Sequence, residues 1–150
     1  MSDNPLTHFA NEVSRLMPDI LREFLKRQSK EVIRGNISLP QMLILDILKD
    51  KASMRMGDLA KYLSVTLPAT TGIVDKLVRN GLVLRTSMPA DRRIVNINIT
   101  PHGKRAVEKY NQARRKTIIE IFGNLSAFDR NKYLEILNKM HRHLKGGESR

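Results

Sequence analysis

The sequence predicts a mainly α-helical (α+β) fold in which a winged helix-turn-helix lies between long N- and C-terminal helices. Two short amphipathic helical patterns meet at a tight turn within residues 57–80. Two strand patterns joined by a basic loop follow within residues 82–99. Segments with apolar residues at helical spacing flank this region on both sides, at residues 5–33 and 101–144.

The first helix is predicted from residue 5 to about residue 33, because its apolar residues recur at three- and four-residue spacing. Pro18 lies inside this pattern and lacks the amide hydrogen that a helix needs, so we expect a bend or a local break there. Gly35 and Asn36 end the segment.

A second helix is predicted to begin at Ser38 and to run to about Asp50. The Ser38 hydroxyl can accept from a first-turn amide, and Gln41 can return a bond to the Ser38 amide, which is a capping box. A third helix covers residues 57–63, and Ser64-Val65 form the turn after it.

The fourth helix is predicted to begin after Thr66, a good N-cap, and to end at Asn80-Gly81. Two strands are predicted, at residues 82–85 and 94–99. The second shows the clearer signal, because its side chains alternate between apolar and polar. A fifth helix begins at Thr100-Pro101 and runs to about residue 122. Ser126 and Asp129 cap a sixth helix.

Basic residues are concentrated after residue 50. The whole chain carries 27 Lys and Arg against 15 Asp and Glu, a formal net charge of +12. Residues 1–50 have seven basic and seven acidic side chains, residues 51–110 have 11 and 4, and residues 111–150 have 9 and 4. Such a surface attracts polyanions such as double-stranded DNA. A cationic surface without a specific partner would give the same charge count.

The composition argues against several other classes of protein. The chain has no cysteine, which excludes disulfides and thiolate metal sites. No apolar run is long enough to span a membrane, and MSDNPLTHF lacks the apolar segment of a signal peptide, so we expect a cytoplasmic protein with no membrane partner. No phosphate-binding glycine loop and no clustered nucleophile and base are evident, so neither an enzyme nor a cofactor is predicted. His141 and His143, the histidines closest in sequence, do not share a helix face, so no metal site is predicted.

The outward positions of the fourth helix form the first candidate site. Those nearest its N-terminus are small and uncharged, which allows close approach to base edges, and a threonine can hydrogen-bond a base or present its methyl group to thymine. The helix N-terminus also favours a phosphate. Alternatively, Thr66 is only a cap and Thr71 is only solvated. The DNA-binding candidates on this helix are Thr66, Pro68, Ala69, Thr71 and Lys76, of which Lys76 is expected to contact the DNA backbone.

The loop between the two strands, with Pro89 and Asp91-Arg92-Arg93, forms the second candidate site. A narrow minor groove attracts an inserted arginine because of its negative potential, which makes Arg92 and Arg93 DNA-binding candidates. Asp91 would repel DNA, so we expect it to pair with a nearby arginine and to hold the hairpin in shape. A solvated polar turn is one alternative. A winged helix that serves only as a protein-interaction module is another, although it has no need of these arginines.

These segments resemble the MarR family of regulators. The resemblance covers nearly the whole chain and implies a homodimer that binds a pseudo-palindromic promoter site, which we interpret as a repressor. It implies a recognition helix at residues 66–80 and a wing whose Arg93 reaches the minor groove. The matching residues are Leu59-Ala60, Val74-Asp75-Lys76-Leu77, Gly81-Leu82-Val83, Arg85, Asp91-Arg92-Arg93, Ile97, Thr100 and Gly103.

The resemblance also assigns roles outside the recognition helix. Arg85 and Asp91 would have a structural role in the wing. Arg55 stands where the family usually caps its third helix with Ser or Thr, and we expect it to contact phosphate. The resemblance implies a single MarR-type domain over residues 1–150. Its DNA-binding lobe would be at 38–100, and its dimerisation helices at 1–35 and 101–150. The dimer interface would be formed by residues 1–30 and 118–145. The same apolar stripes could pack within one monomer, but a palindromic site needs a two-fold protein.

The resemblance also implies a small-molecule partner. This would be an aromatic or phenolic effector that binds between the dimer helices and the DNA-binding lobe. Its binding would release the DNA. The residues expected to line the pocket are Met17, Leu21, Ile44, Leu48 and Tyr110. Alternatively, these side chains only pack in the hydrophobic core.

Overall fold

The computed structural model describes the backbone of residues 4–32 and 37–146 and the side chains of residues 4–27 and 37–146. The predicted fold class is confirmed, since this part of the chain contains six helices and a three-stranded antiparallel sheet. The predicted helix end at Gly35-Asn36 lies outside the described residues. The elements are α1 (Pro5–Val32), α2 (Leu39–Lys51), β1 (Ser53–Arg55), α3 (Met56–Leu63), α4 (Leu67–Arg79), β2 (Val83–Met88), β3 (Asp91–Ile99), α5 (Pro101–Phe122) and α6 (Ala127–Gly146).

The chain divides into two compact units, residues 1–113 and residues 114–150. The first unit holds α1 to α4, the sheet and the first part of α5. The second unit holds the rest of α5 and α6. The predicted lobe at 38–100 and the dimerisation helices at 1–35 and 101–150 stay predictions.

The core of the first unit forms around α2, which contributes more fully buried apolar side chains than any other element. Burial of these apolar side chains is the main force that holds α3, α4 and the sheet around α2. Helices α3 and α4 and the sheet therefore stand on a well-packed support. The fully buried apolar side chains of this core are Ile44, Leu45, Leu48, Leu59, Val74, Leu77, Val83, Ile97 and Val107.

The start of α2 is the capping box that the sequence predicts. The Gln41 amide donates to Ser38 Oγ at 3.4 Å, and the Ser38 amide donates to Gln41 Oε1 at 2.7 Å. Of the two outcomes predicted at Pro18, the local break is wrong, because α1 continues through that residue. The bend stays a prediction. A long helix accommodates one proline by giving up one main-chain hydrogen bond while its other turns remain paired.

Strand β1 is an element that the sequence analysis missed. It pairs antiparallel with β3, with Ser53 opposite Asn98 and Arg55 opposite Asn96, and the strand order is β1-β3-β2. Three residues are too few to show an alternating pattern, so the strand exists only through its pairing with a distant segment.

The hairpin formed by β2, the turn at Pro89-Ala90 and β3, which we call the wing, is longer than predicted. Met88 pairs with Asp91 across the turn, which extends both strands beyond the predicted ranges. Ser87, however, pairs with Val95. Residues 92–94 are therefore extra residues in β3, a bulge of the kind that re-aims side chains.

The second unit is described by its own contacts. The Asp129 amide donates to Ser126 Oγ at 3.1 Å, which confirms the predicted cap of α6. The rings of Phe122 and Tyr133 lie with their centroids 5.1 Å apart. Across the described residues of both units, no helix has the length and apolar character needed to cross a membrane.

Candidate DNA-binding site

Three threonine hydroxyls at the start of α4 bond to the helix's own backbone. Thr66 is the N-cap, as predicted, and its Oγ1 accepts from the Ala69 amide at 3.4 Å. Thr70 Oγ1 donates to the Thr66 carbonyl at 3.0 Å, and Thr71 Oγ1 donates to the Leu67 carbonyl at 3.0 Å. Because its one proton is already used, the Thr71 hydroxyl can only accept from an outside partner.

The outward face of α4 is exposed and carries few polar groups. The helix buries Thr70, Val74 and Leu77 on its inner side. The opposite side presents Pro68, Ala69 and Gly72, with Lys76 one turn further on. This surface is smooth near the helix N-terminus and becomes cationic toward its C-terminus.

The sharp end of α4 fixes where the wing begins. Gly81 has φ of +67°, a left-handed conformation that glycine adopts without strain. The Leu82 amide donates to the Leu77 carbonyl at 2.9 Å and the Gly81 amide to the Val78 carbonyl at 2.9 Å, which closes the helix as predicted. Strand β2 therefore begins directly beside the end of α4.

Asp91 holds the wing in shape, but by a different contact from the predicted one. We expected pairing with an arginine side chain, whereas Asp91 Oδ1 accepts from the main-chain amide of Arg93 at 2.9 Å. An aspartate readily makes this bond to the amide two residues ahead. Arg92 and Arg93 are exposed, and they lie in the bulge of β3 rather than at the hairpin tip. The side chains of both arginines therefore remain available to a partner.

An ion pair connects α4 to the wing. Arg85 Nη2 lies 2.5 Å from Asp75 Oδ1, and the two side chains are 34% and 43% exposed, respectively. The predicted structural role of Arg85 thus has a definite contact, although its partner is on α4 rather than in the wing. The partner was missed because Asp75 and Arg85 are ten residues apart and belong to different elements, which gives no periodic signal.

A groove of about 560 Å³ lies between the start of α3, one side of α4 and the wing. We call it the wing cleft. Of the predicted residues it brings together Arg55, Thr71, Arg85 and Arg93, whereas Thr66, Pro68, Ala69, Lys76 and Arg92 do not line it. Lys61 is a cationic residue of the cleft that the sequence analysis missed, although its place in the last turn of α3 was a usable signal. The cleft is lined by Arg55, Met56, Gly57, Asp58, Lys61, Leu67, Thr71, Asp75, Arg85, Arg93, Ile94 and Val95.

Arg55 stands at the junction of β1 and α3. It is the N-cap residue of α3, and its side chain makes no capping hydrogen bond. An arginine cannot accept a bond from the first-turn amides, so it leaves them uncapped, and Arg55 lines the wing cleft together with the first residues of α3. A combination of this kind attracts an anion.

The five residues of the predicted effector pocket have different environments. Ile44 and Leu48 are fully buried in the core, and Tyr110 packs against that core. Met17 and Leu21, on α1, are each about half exposed, at 53% and 54%. The pocket itself therefore stays a prediction.

Known proteins with similar sequences and structures show the family to which this chain is related. The model of the MarR family matches residues 37–95. The HTH-type transcriptional regulator YdgG of Bacillus subtilis (strain 168) is 31% identical over 129 residues, which cover 85% of this chain and 85% of that protein. The homoprotocatechuate degradative operon repressor of Escherichia coli is 32% identical over 120 residues, which cover 79% of this chain and 78% of the repressor. A crystal structure of a mutant MarR from E. coli, complexed with operator DNA, has a TM-score of 0.70 and 25% identity, covering 91% of this chain and 99% of that one.

Proposed function

Because this chain belongs to the MarR family of transcriptional regulators, we propose that it is a homodimeric repressor that binds a pseudo-palindromic promoter site. The observation that carries the proposal is the wing cleft. Cationic side chains from α3 and the wing meet there beside the exposed face of α4. A phosphate backbone that followed this cleft would place α4 in the major groove and the wing arginines near the minor groove.

Selection of bound fragments from genomic DNA tests this function. We expect recovery of one sequence with two similar half-sites about one helical turn apart, since each protomer reads one half. The logarithm of the association constant should fall linearly with the logarithm of the salt concentration, by about 0.9 for each neutralised phosphate. Recovery of unrelated fragments together with a flat salt response would instead support a protein-interaction module.

Dimerisation is supported by the exposed apolar side chains of α1 and α6. Large contiguous apolar surfaces on a soluble domain usually mark an interface. These exposed residues all fall within the predicted interface ranges, although the two helices belong to different units. The exposed apolar residues are Leu6, Phe9, Leu16, Met17, Ile20, Leu21 and Leu25 on α1, and Phe128, Tyr133, Leu134, Ile136, Leu137, Met140 and Leu144 on α6.

A lysine on the apolar side of α6 should dissociate the dimer. Met140 is 54% exposed in the single chain, so Met140→Lys leaves the protomer's own packing intact but buries a charge in the proposed interface. Asn131→Lys, nine residues earlier and on the opposite side of the helix, is the matched control. Sedimentation velocity should show a dimer for the wild type and the control and a monomer for Met140→Lys. A wild-type monomer at micromolar concentration would contradict the proposal.

We further propose that a small aromatic or phenolic molecule releases the DNA. In support, the buried Asn111 Oδ1 has no hydrogen-bond partner among the described residues and is adjacent in sequence to Tyr110 of the predicted pocket. Asn111 Nδ2 donates to Asp46 Oδ1 at 3.4 Å, which orients the amide. A phenolic hydroxyl is a suitable donor for the remaining acceptor, since an unpaired buried carbonyl is costly.

Replacing Gly72 with alanine should make the protein more stable but should weaken its binding to DNA. It lies inside α4, and a Cβ built there would have no heavy atom within 4 Å. Alanine is better than glycine in a helix by about 1 kcal/mol, so Gly72→Ala should raise the free energy of unfolding. The added methyl group would hold the helix backbone away from the bases, and operator affinity should fall several-fold. Thermal unfolding and fluorescence anisotropy measure the two effects; unchanged affinity would remove Gly72 from the interface.

A further inference from the structure

The ion pair between Asp75 and Arg85 connects the two elements that the proposed function assigns to different grooves. Asp75 is on the recognition helix, and Arg85 is on β2, opposite the fully buried Ile97 of β3. The ion pairs Arg15–Glu12, Arg22–Asp19, Lys26–Glu23 and Lys132–Glu135, by contrast, each join residues three apart on one helix. Those pairs stabilise a single element, whereas Asp75–Arg85 fixes one element against another.

Asp75 is also unfavourable for DNA binding when it is considered alone. It is the one acidic residue in the sequence of α4, and it lines the wing cleft where a phosphate backbone would pass. An unpaired carboxylate there would repel phosphate, because like charges at short distance raise the free energy of the complex. If the side chain at this position only contributed to the electrostatic attraction of DNA, it would not be acidic.

We propose that Asp75 and Arg85 are positioning residues that set the distance between the recognition helix and the wing, so that both fit an operator at once. This inference rests on the proposed function. The pair contributes to specific binding through geometry, and neither side chain needs to contact a base. Non-specific binding depends mainly on total positive charge and is much less sensitive to that geometry.

The substitution Asp75→Asn distinguishes the effect of the spacing between α4 and the wing from the effect of net charge on DNA binding. It makes the protein more positive by one unit, so charge alone predicts tighter binding to every DNA. Loss of the positioning pair predicts operator binding weaker by about five- to tenfold, the size typical of coupled neighbouring side chains. Binding to random duplex DNA should nevertheless become tighter. The ratio of operator affinity to random-DNA affinity therefore falls.

Asp58→Asn is the matched control, because Asp58 lines the same cleft, is exposed and forms no ion pair with the described residues. It makes the same change in charge, and we expect tighter binding to both DNAs. Asp75→Glu keeps the charge of the pair and should restore most of the operator affinity. Thermal unfolding of each variant verifies that all three are folded.

The experiment is a fluorescence anisotropy titration of the selected operator and of a random duplex of the same length, with all proteins at one salt concentration. Operator binding that tightens in Asp75→Asn, as it does in Asp58→Asn, overturns the positioning role. The wild type tests the proposed function separately: if it does not prefer the operator over random DNA, the repressor proposal and this inference both fail.

Discussion

Replacing Arg93 with alanine should reduce operator affinity more than any other single substitution in the wing. Arg93 lines the wing cleft and is exposed, and a narrow minor groove attracts an arginine that enters it. The loss of such a contact costs about 1–3 kcal/mol, and a dimer loses it twice. The slope of log affinity against log salt should also become shallower if the guanidinium neutralises phosphate.

The hairpin should survive this substitution, because Arg93 contributes to the shape of the wing through its main chain. Its amide donates to Asp91 Oδ1, and alanine retains that amide. Thermal unfolding of Arg93→Ala should therefore match the wild type. Arg105→Ala removes the same charge at an exposed position of α5 that does not line the cleft, and we expect only a small loss of affinity. Equal losses in the two variants would show that Arg93 acts only through net charge.

Most of the fold follows from signals that are local in the sequence. The capping box at Ser38, the N-cap at Thr66 and the glycine at position 81 each predict a helix end from a few adjacent residues, and the structure has all three ends. These signals are reliable because each satisfies main-chain groups that would otherwise lack partners.

The features that the sequence analysis missed depend on residues distant in the chain. Strand β1 exists only because residues 53–55 pair with β3, and the length of the wing depends on the pairing of Met88 with Asp91. The partner of Arg85 lies on another element, so its structural role could be expected but its contact could not. The family resemblance can predict that a residue such as Arg85 has a structural role. The partner that this residue contacts can be identified only from the three-dimensional structure.

Gly103→Ala should have the largest effect on stability among substitutions of the described glycines, because α5 begins against the end of α4. The single hydroxyl proton of Thr100 is shared between the carbonyl oxygens of Gly81 and Leu82, which lie 2.7 Å and 3.1 Å from Oγ1, and Oγ1 accepts from the Gly103 amide at 3.0 Å. A Cβ at Gly103 would collide with the Leu82 carbonyl oxygen and would lie 2.8 Å from Ile99 Cγ1. The first of these atoms belongs to the backbone, so it cannot move aside as a flexible side chain would.

Overpacking of this kind usually costs about 1–3 kcal/mol, and we expect Gly103→Ala to lower the free energy of unfolding by about 2 kcal/mol. The same substitution at Gly72 meets no neighbouring atom, so it isolates the intrinsic preference of the helix for alanine, which has the opposite sign. Urea denaturation of both variants at one protein concentration is the measurement, because the stability of a dimer depends on concentration. If both variants are stabilised alike, α5 does not begin as closely against Leu82 as the structure places it. If Gly103→Ala alone is destabilised and also binds its operator less tightly, the start of α5 supports the base of the wing, since Leu82 directly precedes β2.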